Sequence, residues 1–240
     1  FNIRCNDVDY NPVAISYAYV SEDRNVLFID PRKVDAKAAE YLKSCNIEVL
    51  PYDGLQEFLG KLKNVTVMLD PNKTSDTVAR WILNCGVVYA ASPVALPKAV
   101  KNEVQIEGTR KAMERDGAAL VKLYMWLEKA VAEGGVNELD VAAKAIEFRS
   151  ESPLYRGESF GMIPGYKEHG AIVHYSATEE SASDLKPEGL LLVDTGAQYL
   201  DGTTDITRTV ALGTPTEEER HDYTLVLKGH VALGSAIFPE

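Results

Sequence analysis

Cysteine is scarce in this 240-residue sequence: Cys5, Cys45 and Cys85 lie far apart, with no C-x-x-C pair. An odd, scattered set fits neither a disulfide framework nor a zinc knuckle, and it points to a reducing compartment, the cytoplasm. The three read as small core residues, with no His-Asn context to mark a nucleophile. Long apolar runs are missing too. No stretch approaches ~18–20 uncharged apolar residues, and Phe1-Asn2-Ile3-Arg4-Cys5-Asn6-Asp7 has neither a basic flank nor an apolar centre, so neither a membrane span nor a signal peptide is expected. Positive charge is in deficit: 25 Lys and Arg against 36 Asp and Glu leave a net charge of −11, which argues against a nucleic-acid partner. Phosphate-cradling glycine loops are absent, since Gly161, Gly165 and Gly170 do not form G-x-G-x-x-G and no G-K-[ST] occurs. Repeats and low-complexity segments are absent as well. What remains, 45% hydrophobic and 25% charged, is an ordinary globular composition able to bury a core. The start at Phe1 without Met, and the stop at Glu240 straight after an apolar helical pattern, suggest a fragment.

Through the first hundred residues, short apolar runs alternate with helical patterns. Strands are expected at 13–20, 26–29, 47–50, 65–69 and 87–90, and helices at 34–43, 55–62 and 76–84, the mark of an α/β module. A Pro-bearing connector follows near 93–102. Glu103 to Glu133 reads as one long helix ended by Gly134-Gly135, and Asn137 caps a second helix through Phe148. Strands are then expected at 171–175, 190–199 and 204–212. Thr216-Glu217-Glu218-Glu219 is a capping box that opens a last helix to about Phe238. The chain thus divides into an α/β module, residues 1–100, and an α+β module of two helices and an antiparallel sheet, residues 101–240.

Chemistry concentrates in Leu190 to Thr209. Asp194 follows four apolar residues, so its carboxylate is expected at the end of a buried strand, where an unpaired charge is costly. Asp205 follows eleven residues later, beyond an Asp201-Gly202 turn. A two-residue hairpin there pairs 205 with 198 and 194 with 209, putting both carboxylates on one face but roughly 13 Å apart. Only a bulge or sharp bend between 196 and 204 would unite them. Two readings stand: the aspartates bind one or two divalent cations that activate water, or they pair with Arg208 and cap turns. His174, ending an apolar run, is either a proton shuttle or substrate hydrogen-bond donor, or a satisfied structural residue. His169 and His221 read as solvated, and His230 as a packing residue.

Asp194-Thr-Gly-Ala-Gln-Tyr-Leu-Asp-Gly-Thr-Thr-Asp205-Ile-Thr-Arg-Thr, with Leu227-Lys228-Gly229-His230, resembles the metal-binding region of aminopeptidase P (Xaa-Pro aminopeptidase), in particular its cytosolic three-domain branch. Phe1-Asn2-Ile3-Arg4 with Asp9-Tyr10-Asn11-Pro12 is similar to the start of that branch's creatinase-like domain. The stretch from Glu107-Gly108 to Trp126-Leu127-Glu128 resembles the helix that opens its pita-bread catalytic domain. The resemblance implies a creatinase-like α/β domain followed by the first half of a pita-bread domain. It implies two divalent metal ions, most often manganese, a peptide substrate with proline in second position, and a homodimer in full-length form. By position, Asp194 and Asp205 become metal ligands, His174 a catalytic and substrate-placing residue, and Phe160 an edge of the substrate pocket. The family's remaining ligands, one His and two Glu, match nothing up to Glu240, so the chain alone is expected to be inactive. A prolidase, a creatinase-type hydrolase and a non-catalytic peptide-binding module remain the alternatives.

Overall fold

The structure, a computed structural model, describes residues 1–238. The chain splits into two compact units, Phe1–Asn102 and Glu103–Glu240.

In the first unit β1 (Tyr17–Val20) and β2 (Asn25–Ile29) form an antiparallel hairpin, and after α1 (Ala36–Ser44) the chain returns as β3 (Ile47–Pro51), parallel to β2. α2 (Leu55–Lys61), β4 (Thr66–Leu69), α3 (Asp76–Arg80) and β5 (Gly86–Tyr89) follow, β4 and β5 pairing in parallel. β2 is apolar without alternation because both its faces are covered. Val26 and Phe28 pack with Leu55, Leu59 and Val78 on one side, and Leu27 and Ile29 with Leu42 and Ile47 on the other. The expected connector contains a short helix, α4 (Ala95–Ala99). None of the three cysteines is a core residue: Cys5 and Cys85 are half-buried, and Cys45 is exposed where it ends α1.

The second unit opens with α5 (Glu103–Glu133) and α6 (Glu138–Ser150), the latter started by an Asn137–Asp140 capping box. On α5 the buried stripe is Ala112, Asp116, Ala119, Leu120, Leu123, Leu127 and Val131, and on α6 it is Glu138, Val141, Ala145 and Arg149. The spacing is helical, but charge lies within both stripes: Asp116 on α5, Glu138 and Arg149 on α6. Six strands follow: β6 (Tyr155–Glu158), β7 (Ile163–Tyr166), β8 (Leu190–Thr195), β9 (Ala197–Tyr199), β10 (Gly202–Thr203) and β11 (Ile206–Ala211), before α7 (Glu217–Gly234). They make two three-stranded antiparallel sheets, β11-β8-β7 and β10-β9-β6. The core lies between the helices and the first sheet, with Leu120, Leu123 and Leu127 against Leu191 and Val193. α7 buries no side chain; Val226 is 72% and Leu233 67% exposed. His221 and His230 are exposed on it, so His230 is not the packing residue expected.

The strand expected at 171–175 does not form. Lys167–Ala171 is a 3-10 turn, and Ile172 and Val173 are exposed. The run is apolar, but no neighbouring strand pairs with it, and its approach is set by Gly170 lying on Gly165 and Leu192. The expected strand 190–199 is two strands, broken at Gly196 and shared between the two sheets.

Candidate metal centre

Asp194 and Asp205 flank the break where the β8–β11 hairpin passes from one sheet to the other. The turn is made by Leu200 and Asp201, with Tyr199 opposite Gly202, so every pair shifts by two residues from the expected register. Asp194 lies opposite Thr207, and Ile206 opposite Thr195. Ala197 faces Thr204 in the same register: Thr204 N–H donates to the Ala197 carbonyl at 2.9 Å. Gly196 and Asp205 are the unpaired step between, which leaves the aspartates two ladder positions apart on one face, about 7 Å by strand rise alone. The bend that the spacing demanded is present. Gly196 is the residue that permits it, because a Cβ there would fall on the Thr204 carbonyl oxygen and Ser159 Oγ.

Neither aspartate is buried, against expectation. Leu191, Val193 and Thr195 occupy the core face of β8, and by strand alternation Asp194 takes the other face and is half-buried. Asp205 is exposed. Asp194 Oδ1 accepts from Thr207 Oγ1 at 2.8 Å. The Asp205 side chain has no hydrogen bond or ion pair among the described residues. Arg208 does not serve as their counter-ion: its guanidinium donates to the Thr207 carbonyl at 2.7 Å, and no ion pair among the described residues joins it to either aspartate. Two hard oxygen ligands side by side without a cation fit a divalent metal ion. No group of three or more His, Cys, Asp or Glu that could hold a metal occurs among the described residues.

His174 is exposed, adopts a left-handed backbone (φ 57°), and makes no hydrogen bond, ion pair or ring contact among the described residues. Its loop is tied down by Glu138, which is fully buried. That carboxylate accepts from Tyr166 N–H (2.8 Å), Ser183 N–H (2.9 Å) and the Tyr175 hydroxyl (2.8 Å), and it meets His169 Nδ1 at 2.9 Å. His169 is therefore not solvated; its ring stacks on Tyr175 at 4.3 Å. Phe160 is half-buried in the bend between β6 and β7. It directly follows Ser159, whose N–H reaches the Gly196 carbonyl and whose hydroxyl reaches the Thr204 carbonyl, both at 2.9 Å. The structure thus brings the two aspartates to one bend and Phe160's chain beside it, and leaves His174 on a separate, anchored loop.

Residues that sequence reasoning missed lie behind the bend. Asp116 and Arg149 are both completely buried, with Nε–Oδ1 at 2.7 Å and Nη2–Oδ2 at 3.1 Å. Arg149 Nη1 also reaches Glu158 (2.5 Å), Thr195 Oγ1 (2.7 Å) and the Gly196 carbonyl (3.3 Å). Asp116 accepts from Tyr199 Oη (3.0 Å) and Thr204 Oγ1 (2.7 Å). Burial opposes the Arg149 charge, but the Asp116 hydrogen bonds and the Glu158 and Asp116 charges outweigh it and raise its pKa. Burial also lifts the Glu158 carboxyl and the Tyr155 and Tyr199 phenols above their ordinary ranges. The signal was available as a charge inside each apolar helix stripe.

The hairpin tip is held by a two-point contact from Arg115 to Asp201, at 3.0 and 2.9 Å. That hydrogen bonding lowers the Asp201 pKa below its ordinary value of 3.8. Between the lowered and the ordinary value the folded carboxyl binds fewer protons than the unfolded one, so this contribution is complete above about pH 4 and fades as the pH falls. Arg115→Gln is accordingly expected to be less stable than wild type at pH 7, with a gap that narrows below about pH 4. Urea unfolding across pH 2.5–7 checks this, and a gap independent of pH would contradict it.

Residues 107–240 match the model of metallopeptidase family M24, and residues 1–105 that of the creatinase/prolidase N-terminal domain. A probable Xaa-Pro aminopeptidase P from Laccaria bicolor is 41% identical over 99% of this chain and 38% of its own length. Aminopeptidase P2 from Arabidopsis thaliana is 35% identical over 100% of this chain and again 38% of its own. The chain spans about two fifths of the length of the curated relatives it matches. In structure it is similar to the X-prolyl aminopeptidase of Caenorhabditis elegans, described as a cytosolic enzyme with a di-nuclear active site. The TM-score is 0.88 at 34% identity, covering 99% of this chain and 40% of that one. The resemblance to aminopeptidase P holds, and the fold is a creatinase-type N-terminal domain followed by pita-bread architecture. With a family model covering more than half its residues, this chain belongs to metallopeptidase family M24.

Proposed function

We propose that the chain is part of a metalloaminopeptidase that releases the N-terminal residue from peptides with proline in second position. The observation that carries this reading is the pair Asp194 and Asp205, eleven residues apart in sequence but drawn to one bend with no cation among the described residues to neutralise them. The relatives' names supply the substrate class, and the di-nuclear site of the worm enzyme supports two divalent ions here. We assign manganese as the metal, the cytoplasm as the compartment and a homodimer as the full-length state. Residues 1–100 are then the creatinase-like domain, and 101–240 the first half of the catalytic domain.

Asp194 and Asp205 would hold the metal ions, which when bound supply an activated water and polarise the scissile carbonyl. The remaining work belongs to side chains. His174, exposed, in a left-handed backbone conformation and without a partner among the described residues, is placed to donate a hydrogen bond to a peptide oxygen as it gains negative charge. A non-glycine residue in that conformation persists only where its surroundings hold it, and Glu138 fastens the loop on either side. Phe160 contributes an apolar wall to the substrate pocket.

The test is hydrolysis by the full-length protein with manganese. Release of the first residue from an Xaa-Pro peptide, and little from its Xaa-Ala counterpart, is expected. The 240-residue chain alone is expected to show none. His174→Ala should lower kcat by about 10²-fold, the scale of a lost transition-state donor, without moving the unfolding midpoint. No Xaa-Pro hydrolysis by the metal-loaded full-length protein refutes the reading.

A further inference from the structure

Both halves of the metal pair are gripped from behind by one buried ion pair. Thr195 and Gly196 immediately follow Asp194, and Arg149 holds both, through Thr195 Oγ1 at 2.7 Å and the Gly196 carbonyl at 3.3 Å. Thr204 immediately precedes Asp205, and Asp116 holds its hydroxyl at 2.7 Å. Arg149 and Asp116 are in turn locked to each other by the two-point contact already described. We infer that the Asp116–Arg149 pair is a positioning device for Asp194 and Asp205, setting the separation of the two ligands by clasping the strand next to each. The inference rests on the proposed metal site and adds residues to it.

Core stability alone does not account for the arrangement. A buried ion pair is on average no more stabilising than apolar side chains of the same volume, because desolvation offsets the attraction. What it offers instead is directional contacts, and three of these fall on the bend. The Thr204 hydroxyl shows how the parts interlock. It donates to Asp116 Oδ2 and accepts from Ala197 N–H at 3.0 Å. In a regular ladder that N–H would bond the Thr204 carbonyl. Here the carbonyl accepts from Ser159 Oγ, so the side chain replaces it. The strand can therefore turn out of the first sheet without leaving the N–H unpaired, and Asp205 is delivered just beyond. Glu158 at 2.5 Å and the Tyr199 hydroxyl at 3.0 Å complete the shell around the pair and are themselves withdrawn from solvent. Groups that orient metal ligands from behind typically govern about 10–100-fold in metal affinity.

Manganese titration of the full-length protein tests this, using Thr204→Val, which keeps the shape and removes the hydroxyl, and Thr204→Ser, which restores it. The valine variant is expected to bind manganese about 10–100-fold more weakly. The serine variant should stay within about threefold of wild type, below the roughly 10–100-fold range of a lost orienting group. Thr195→Val and Thr195→Ser repeat the comparison on the Asp194 side, so a folding failure of one valine variant leaves the other to decide. Val131→Ala, at the far end of α5, provides loss of stability without touching the bend. Wild-type affinity in a folded valine variant overturns the inference, as does an equal loss of affinity in Val131→Ala. A wild-type protein that binds no divalent ion overturns the functional reading itself, and the inference with it.

Discussion

Replacing Arg149 with methionine is expected to cost about 3–5 kcal/mol of stability, the scale of removing one partner from a buried pair. Asp116 has no exposed surface and would retain only the Tyr199 and Thr204 hydroxyls as donors. Glu158 would lose its cation as well, and its carboxyl is already held above the usual range by burial. Thr195 Oγ1 would lose a donor in a place water does not reach. Arg149→Lys should recover only part of the loss, because an ammonium cannot reproduce the planar fork that meets Asp116 at two points. Denaturant unfolding of the three proteins measures this. A loss under about 1 kcal/mol in the methionine variant, the scale of an exposed pair, would show that the fold closes over the gap. The double variant Arg149→Met with Asp116→Leu offers a second reading: removing both charges should return much of the stability while leaving the bend without its clasp.

Asp205→Asn in the full-length protein is expected to reduce Xaa-Pro hydrolysis by more than about 100-fold, beyond the upper range for groups that merely orient a ligand. An amide keeps the shape and one oxygen but loses the charge that draws a hard cation. Stability should hardly change, since Asp205 is exposed and bonds to nothing among the described residues. Apo-protein stability should rise slightly, because two carboxylates with no counter-ion among the described residues would no longer lie on one face of the bend. The discriminating measurement is metal stoichiometry alongside the unfolding midpoint: fewer bound ions at an unchanged midpoint is the expected pair. Full metal loading with full activity would remove Asp205 from the site.

Much of the fold was legible because its signals are local. Gly134-Gly135 and the Asn137 cap place the end of α5 and the start of α6 to within a residue, and the Thr216 capping box opens α7. The eleven-residue spacing put Asp194 and Asp205 on one face once a two-residue turn was assumed, because a turn of even length keeps residues 194 and 205 in the same alternation. Their closeness was not legible. It depends on hairpin register, and the turn sits at Leu200-Asp201 rather than Asp201-Gly202. Nothing in Asp-Gly propensity encodes that choice; Arg115 clamps Asp201 from α5, and Gly108 leaves room for the Asp201 backbone. The 171–175 run misled for a similar reason, since apolar residues make a strand only where a partner strand exists.

The sequence by itself determined the helices and most of the strands, the family and the shared face of the two carboxylates, because periodicity, capping and motif spacing act over a few residues. Only the tertiary structure decided that β8 and β9 part at Gly196, that Glu138 anchors the His174 loop, and that Asp116 joins Thr204 across 88 positions of chain. A buried charge is tolerable only when folding delivers its partners to it. Arg149 and Asp116 therefore look like misplaced residues in their helices until the bend between Asp194 and Asp205 is folded against them.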